Sequence, residues 1–337
     1  MHALDALPGC SGGATARNAS ADGSVVVGSS CGESIRWEDG VMSPLPGLPG
    51  GETHAQYRGA YDVSADGAVV VGATSSMLGS EAYVWTDEEG TIGLGDFPGG
   101  RFYSVALGVS GDGSAVVGFS ESADGWEAFR WTEDAGMVAL PSSGSASRDR
   151  SANDMSADGS VVIGWEDLAT GEFTGRGKKR RPVYEYQAAR WTDAGIQHLG
   201  DFEGGDRGSL ALAMSADGSI VAGDSDSANG IEAFIWDEVN GMQRLQDVLV
   251  NEHGLDLTGW QLMKVWDMTP DGTTFVGEAI NPNGDYEGFF ARIGPATPGV
   301  TITPIAGLET TESGGTASFK VTLDTAPAAD VTIALES

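Results

Sequence analysis

The sequence predicts an all-β protein: a six-bladed β-propeller closed by an N-terminal strand and followed by a truncated β-sandwich-like segment. The main observation is an internal repeat, in which a small residue, Asp, Gly and an apolar run ending in Gly occur together six times. The anchors of these repeats are Asp22, Asp66, Asp112, Asp158, Asp217 and Asp271. A period of about 45 residues with four strand-like runs per copy is typical of propeller blades.

The third copy shows the elements of one repeat most clearly. Its four predicted strands are residues 104–110, 115–118, 127–131 and 137–140. Asp112 and Gly113 form the turn between the first two, and Asp-Gly favours a type I′ turn with positive φ at both central residues. The third strand of each copy ends in an aromatic residue: Trp37, Trp85, Trp131, Trp191, Trp236 and Phe290. The runs are short, rich in β-branched residues and without helical periodicity, which favours strands.

The two ends of the repeat array indicate how the ring closes. The sixth copy stops after its third strand, residues 288–293, whereas residues 4–7 are similar to the fourth-strand segments of other copies. We therefore expect the N-terminus to supply the outer strand of the last blade and to remove an exposed sheet edge. The predicted domains are residues 1–294 for the propeller, 295–299 for a linker and 300–337 for a sandwich fragment, which is too short to close its own core.

Charge excludes two classes of partner. The net charge is −31, from 49 acidic and 18 basic residues. Nucleic acids and anionic membranes both attract basic surfaces, so neither is an expected partner. No apolar run approaches the roughly 18 residues of a membrane span, so none is predicted.

The two cysteines bear on the compartment. Strand order places Cys10 in the crossing into the first blade and Cys31 in the second-to-third connection of that blade, both on the face opposite the Asp-Gly turns. We expect a disulfide between them, with two unpaired thiols as the alternative. A disulfide favours an oxidising, extracytoplasmic setting. Residues 1–5 do not form a signal peptide, so either the chain is cytosolic or its leader has been removed.

The repeats resemble a known bacterial family. The segments Leu199–Gly205, Met214–Ser219 and Glu232–Trp236 are similar to those of the HAF-family extracellular repeat, over about residues 4–293. The His of that family's His-Ala-Phe motif is replaced here by Glu33, Glu81, Glu127, Gln187, Glu232 and Glu287. The tail is similar to Calx-β-like sandwich modules. These resemblances imply export and surface association, within a larger surface protein, but they supply no reaction.

A polar column in the inner strands is the candidate metal site. It consists of Asn18, Asp62, Asp154 and Asp267, with Gly108 and Ala213 in the other two copies. Inner strands line the channel of a propeller, so these oxygen atoms could hold Ca²⁺, which is the cofactor that they would suit. The alternative is that each side chain bonds its own turn. The Glu column that opens the third strands, with Gln187 in the fourth copy, could form a ring of carboxylates. The alternative is that each of these side chains bonds a neighbouring backbone N–H.

Two insertions and several tryptophans predict a ligand-binding face. The fourth copy has a long connection, residues 165–187, and the fifth copy crosses to the sixth through residues 246–261. The candidate ligand-binding residues are Trp126, Trp165, Arg176, Lys178, Lys179, Arg180, Arg181, Tyr184, Tyr186 and Trp260. Aromatic residues beside acids suit sugar stacking, and the basic loop could clamp an anionic group. The alternative for the basic loop is a solvated surface excursion.

The sequence thus favours an exported or cell-surface propeller that acts as a binding module for a glycan or another cell-envelope component. A metal-dependent hydrolase or lactonase with its site at the channel mouth is the alternative, and it rests on fold analogy alone. A structural role within a larger surface protein is the third reading.

Overall fold

The computed structural model describes residues 6–10, 13–51, 58–144, 147–174, 181–293, 300–304 and 319–323. The chain divides into two compact units, Met1–Ala291 and Arg292–Ser337. Over the described ranges the regular structure is almost entirely β-strand, with one short helix. None of the helical structure found there has the length and apolar character that a membrane span requires.

Repeats one to five each contribute an inner strand, two middle strands and an outer strand, and the described part of repeat six contributes the first three of these. Repeats one to three contain β1 (Ala14–Ala19), β2 (Val25–Ser30), β3 (Glu33–Glu38), β4 (Val41–Pro44), β5 (Gly59–Val63), β6 (Val70–Ser75), β7 (Ser80–Thr86), β8 (Gly90–Gly93), β9 (Gly99–Val109), β10 (Ala115–Ser122), β11 (Gly125–Thr132) and β12 (Gly136–Ala139). Repeats four to six contain β13 (Ser147–Met155), β14 (Val162–Thr174), β15 (Arg181–Thr192), β16 (Gly195–Gly200), β17 (Gly204–Met214), β18 (Ile220–Ser227), β19 (Gly230–Asp237), β20 (Gly241–Arg244), α1 (Leu245–Asn251), β21 (Gln261–Met268), β22 (Thr274–Ile280) and β23 (Tyr286–Arg292).

The strands of each repeat pair antiparallel in sequence order. Repeat one is a separate four-stranded sheet, and the described part of repeat six is three-stranded, β21-β22-β23. Repeats two and three are joined through one parallel bridge, Ser80 with Tyr103, and repeats four and five through Tyr186 with Gly208. The predicted strand order within a repeat is therefore confirmed, while the strands extend further towards the face opposite the Asp-Gly turns than expected.

The Asp-Gly turns differ from the predicted type I′ geometry. In repeat one, Gly23 has φ +70°, but Asp22 does not take positive φ; Cys31 and Asp39 are the non-glycine residues that do so in the described chain. The Gly23 N–H donates to the Ser20 carbonyl, as in a type I turn followed by a left-handed glycine. The Asp22 carboxylate accepts bonds from Ser20 Oγ, Ser24 N and Ser24 Oγ. These bonds hold Asp22 in the turn, which explains why Asp occurs there.

A series of backbone hydrogen bonds connects the turns of successive repeats. Ala21 N donates to Ala65 O, and the pattern continues through Gly111, Ala157 and Ala216 to the carbonyl of Pro270, at 2.8–3.0 Å. Pro270 has no N–H with which to continue the series. Between these turns and the opposite face, apolar side chains such as Val117, Phe129, Trp191 and Phe234 are buried between repeats.

The N-terminal segment enters repeat one as the other crossings enter their repeats. Leu7 N donates to Ser30 Oγ at 3.1 Å, just as Phe97 N donates to Ser120 Oγ at 3.0 Å. Residues 4 and 5 of the predicted closing strand lie outside the described residues, and residues 6–10 are not a strand. Cys10 and Cys31 form the predicted disulfide, with a Cα–Cα distance of 6.0 Å.

The crossing from repeat five to repeat six begins with α1 (Leu245–Asn251), and Gly254, three residues after this helix, has φ +68°. In the second unit, β24 (Val300–Pro304) and β25 (Phe319–Leu323) pair antiparallel.

Candidate functional site

A cavity of about 520 Å³ lies at the end of repeats three and four that is opposite the Asp-Gly turns. Its volume is within the range of small-ligand sites. Its lining residues are Arg101, Tyr103, Leu107, Phe119, Trp126, Asp149, Arg150, Ser151, Asn153, Trp165 and Tyr186. We call it the aromatic cavity, because five of these side chains carry aromatic rings.

Strand register places the aromatic side chains of repeat three on one face of its sheet. Phe119 is opposite Val105 on β9 and Ala128 on β11, so Tyr103 and Trp126 are its diagonal neighbours. The ring centroid of Trp126 lies 5.1 Å from that of Tyr103 and 5.3 Å from that of Phe119, both edge to face. In repeat four, Trp165 and Tyr186 are related in the same way, with centroids 4.8 Å apart. The rings are thus fixed by their packing against one another.

Hydrogen bonds across the junction of repeats three and four hold the polar part of the cavity. Trp126 N donates to Asp149 Oδ1 at 2.9 Å, and Arg150 Nη2 bonds Glu127 Oε2 at 2.8 Å. Asn153 Nδ2 donates to the Ala211 carbonyl in repeat five at 2.8 Å. The inner strand β13 is therefore tied to both neighbouring repeats, which makes the cavity a preformed one.

Sequence reasoning found three of the cavity residues, Trp126, Trp165 and Tyr186, and the structure brings them together. It missed the residues that β9, β10 and β13 contribute, such as Tyr103, Phe119, Arg101, Arg150 and Asn153. The alignment of the six repeats does contain a signal for Phe119. The position after the glycine of the apolar run is Ser29, Ala73, Phe119, Trp165, Asp224 and Glu278, so it is aromatic only in the two adjacent repeats that form the cavity.

Of the other predicted ligand-binding residues, Trp260 and Tyr184 are described and are not among the residues that line this cavity. Trp260 lies in the crossing between repeats five and six, where its carbonyl accepts a bond from Gln246 Nε2. Tyr184 is on β15 and is partly buried. Arg176, Lys178, Lys179 and Arg180 lie outside the described residues, and the side chain of Arg181 is not described. Their role in binding stays a prediction.

A second cavity, of about 570 Å³, is central and lies near the Asp-Gly turns. Inner strands from all six repeats line it, including Asn18, Asp62, Asp154 and Asp267. Asp62 accepts bonds from Val63 N at 2.8 Å, from Val109 N of the next repeat at 2.7 Å and from Asn18 Nδ2 at 2.5 Å. Asp154 likewise accepts Met155 N at 2.7 Å and Met214 N of the next repeat at 3.3 Å. These carboxylates thus connect neighbouring inner strands.

The acidity of these carboxyl groups reflects their surroundings. Burial raises the pKa of Asp62 to about 7, although the N–H groups of Val109 and Val63 lower it; the charge of Asp267 raises it further. Desolvation, followed by the charge of Asp62, raises the pKa of Asp154 well above its usual range. In contrast, hydrogen bonds from Ser24 and then Ser20 lower the pKa of the exposed Asp22 to about 2.

The calcium assignment receives no further support from the arrangement. Among the described residues, no three His, Cys, Asp or Glu side chains are grouped so that they could hold a metal ion. Asn18, Asp62, Asp154 and Asp267 each bond the N–H of the residue that follows them. This agrees with the alternative given above for the column, and a calcium role remains a prediction.

The Glu column also bonds nearby groups. Glu127 accepts Ser122 Oγ at 2.7 Å, Glu232 accepts Ser227 Oγ at 2.5 Å, and Glu81 accepts Gly95 N at 3.2 Å. A different Glu, Glu166, is fully buried, bonds Ser143 N at 3.0 Å and pairs with His198 at 2.9 Å. It takes the place that Ser30 and Ser120 have in their repeats, so it anchors a crossing.

Comparisons with known proteins bear on the class of fold. No family model and no curated protein matches the chain. Among solved structures, the chain is similar to a protein assigned as TolB from Agrobacterium tumefaciens, with 15% identity, 83% of this chain and 90% of that chain covered, and a TM-score of 0.50. TolB from Acinetobacter baumannii has 15% identity, coverage of 66% and 51%, and a TM-score of 0.44. The β-propeller domain of the trilobed protease from Pyrococcus furiosus has 11% identity, coverage of 92% and 93%, and a TM-score of 0.45.

At such identities the likeness to the Agrobacterium protein bears on the fold alone. Together with the layout of the sheets, it shows that the chain is a β-propeller.

Proposed function

We propose that this propeller is a carbohydrate-binding module and that the aromatic cavity is its binding site. The observation that carries the proposal is the grouping of five aromatic rings with Arg101, Arg150, Ser151 and Asn153 in one cavity of about 520 Å³. Pyranose rings present an apolar face that stacks on aromatic rings, while their hydroxyl groups need hydrogen-bonding partners. The cavity offers both kinds of contact on rigid strands.

The test is a titration of immobilised and soluble oligosaccharides against the wild type and three variants. Trp126→Ala and Trp165→Ala remove rings from the two halves of the cavity, and we expect each to weaken binding at least tenfold. Trp266→Ala is the matched control, since Trp266 is 51% exposed and does not line this cavity. Unchanged binding by both cavity variants, with melting temperatures equal to that of the wild type, would refute the site.

Several observations support an extracytoplasmic location for the module. The disulfide between Cys10 and Cys31 is typical of proteins from oxidising compartments. The resemblance of the repeats to the HAF family, and of the tail to Calx-β-like modules, supports export and a place in a larger surface protein. A cell-envelope glycan is the ligand that fits this location.

The proposal includes a closed ring of six blades. Six sequence repeats, the five backbone bonds between successive turns and the entry of Leu7 beside Ser30 support it. Residues before Leu7 would then pair with β23, the last described strand of repeat six. The alternative function, a metal-dependent hydrolase or lactonase, rests on the fold alone, and nothing in the described arrangement adds to it.

A further inference from the structure

The hydrogen-bonding capacity of Arg150 indicates what the ligand must provide. Its side chain is 13% exposed, so water reaches little of it. A guanidinium carries five N–H donors. Within the described chain, the hydrogen bond of Arg150 runs from Nη2 to Glu127, and the buried Nε has no partner. Buried donors are normally paired, so the part of a ligand that lies next to Arg150 has to accept hydrogen bonds.

Arg101 adds donors at the rim of the same cavity. Its side chain is 74% exposed, and its Nε bonds Glu121 Oε2 at 2.9 Å. That bond orients the guanidinium while the two terminal nitrogen atoms stay available on the described surface. The cavity therefore presents cationic donors at its base and at its rim.

The charge balance disfavours an anionic acceptor. Glu121 and Glu127 pair with the two guanidinium groups, and Asp149 adds a third carboxylate in the lining of the cavity. A ligand carboxylate would add a fourth negative group, in a chain whose net charge is already −31. Like charges at short range repel, most strongly where water is excluded. The acceptor that suits these donors is a neutral one.

We propose that the aromatic cavity selects sugars bearing an acetamido group, that is, N-acetylated hexosamines. This inference rests on the proposed carbohydrate site. The acetamide carbonyl is a strong neutral acceptor for the free N–H groups of Arg150. Its methyl group is apolar and suits the ring of Trp126, which directly precedes Glu127, the partner of Arg150. One acetamido group can therefore satisfy both the unpaired donors and the aromatic surface.

The experiment compares N-acetylated sugars with counterparts that lack the acetamido group, by calorimetry on the whole chain. Two pairs of probes differ in the acetamido group: the β-1,4-linked trimers of N-acetylglucosamine and glucose, and the methyl glycosides of N-acetylgalactosamine and galactose. The β-1,4-linked trimers of glucosamine and glucuronate serve as cationic and anionic comparisons. We expect the N-acetylated member of at least one pair to bind ten times or more tighter than its plain counterpart, the size of effect that hydrogen bonds to a charged group produce. Arg150→Gln should remove this preference.

A matched variant separates recognition from folding. Arg36→Gln alters an arginine with 15% side-chain exposure that pairs with Glu38 and does not line the cavity; it should leave the preference intact. Arg101→Gln, at the exposed rim, should reduce it without loss of stability. Equal binding within both pairs, or tightest binding by the glucuronate trimer, would overturn the acetamido assignment and leave carbohydrate binding standing. Binding by none of the sugars would instead remove the proposed function itself.

Discussion

Aspartate has two opposite roles in this molecule, and the difference lies in where the carboxyl group is placed. In the turns, exposed carboxylates such as Asp22 accept three bonds from nearby Ser groups, which lowers the pKa. In the inner strands, Asp62 accepts backbone N–H groups from two repeats while it is buried, and burial dominates its pKa. Hydrogen bonds favour the charged form at both sites, but only the inner site has to be desolvated.

The raised pKa of Asp62 predicts that stability falls as the pH rises through neutrality. In the unfolded chain the pKa is about 3.9, whereas in the folded chain it is about 7. The stabilisation from protonated Asp62 is therefore complete below about pH 4 and is lost as the pH rises through about 7. Melting temperatures measured from pH 5 to 8.5 should fall more steeply for the wild type than for Asp62→Asn.

The control for this experiment is Asp66→Asn in the turn of the same repeat. Hydrogen bonds, of which the one from Ser64 has the largest effect, lower the pKa of Asp66. Its charge therefore does not change over this pH range. We expect its effect on melting to be the same at every pH. Parallel curves for the wild type and Asp62→Asn would contradict the titration of Asp62.

At the level of strands, the repeat pattern itself predicts most of the sheet structure, because each part of it has a local cause. Asp-Gly marks the turn, and the apolar run marks the strand buried between repeats. The aromatic cavity could be predicted only in part, since the position of Asn153 has unrelated residues in the other repeats and that of Arg150 has an arginine only once more, as Arg58 in repeat two. Their proximity to Trp126 depends on the packing of two repeats, which no local pattern encodes.

The glycine that ends each apolar run is required by close approach of the inner strand. A Cβ atom at Gly118 would lie against the carbonyl oxygen of Val105, where the pairing of β9 and β10 shifts register. We expect Gly118→Ala to destabilise the propeller by about 1–3 kcal/mol, as overpacked cores do. Gly47→Ala is the control, because a Cβ there meets only Thr74 Oγ1 at 3.5 Å. Equal denaturation midpoints for the two variants would show that the strands can separate to accommodate the methyl group.

The disulfide should stabilise the entry of the chain into repeat one. Cys10 and Cys31 are separated by 21 residues, and closing a loop of this length contributes about 3 kcal/mol in the chain-entropy description. Cys10→Ser should lower the free energy of unfolding by about this amount, measured by urea denaturation without reductant. Treatment of the wild type with reductant should reproduce the loss, whereas two titratable thiols in the denatured, unreduced protein would show that the bond does not form.

For the whole molecule, stability depends on how neighbouring repeats are joined. Backbone bonds connect the turns from Ala21 to Pro270, and inner-strand carboxylates add links at Asp62 and Asp154. The final repeat differs from the others, because Tyr286 and Phe290 on β23 are 70% and 73% exposed. An exposed strand edge with large apolar residues is a liability that natural sheets usually cover.

If the residues before Leu7 cover β23, their removal should destabilise the propeller. We expect deletion of residues 1–7, which leaves Cys10 in place, to lower the melting temperature by several degrees and to increase aggregation. The deletion also removes the bond from Leu7 to Ser30, so Ser30→Ala serves as the control for that single contact. A second control, truncation after residue 299, shortens the other compact unit and leaves residues 1–7 in place. A deletion variant that melts like Ser30→Ala would show that the N-terminal residues do not close the ring.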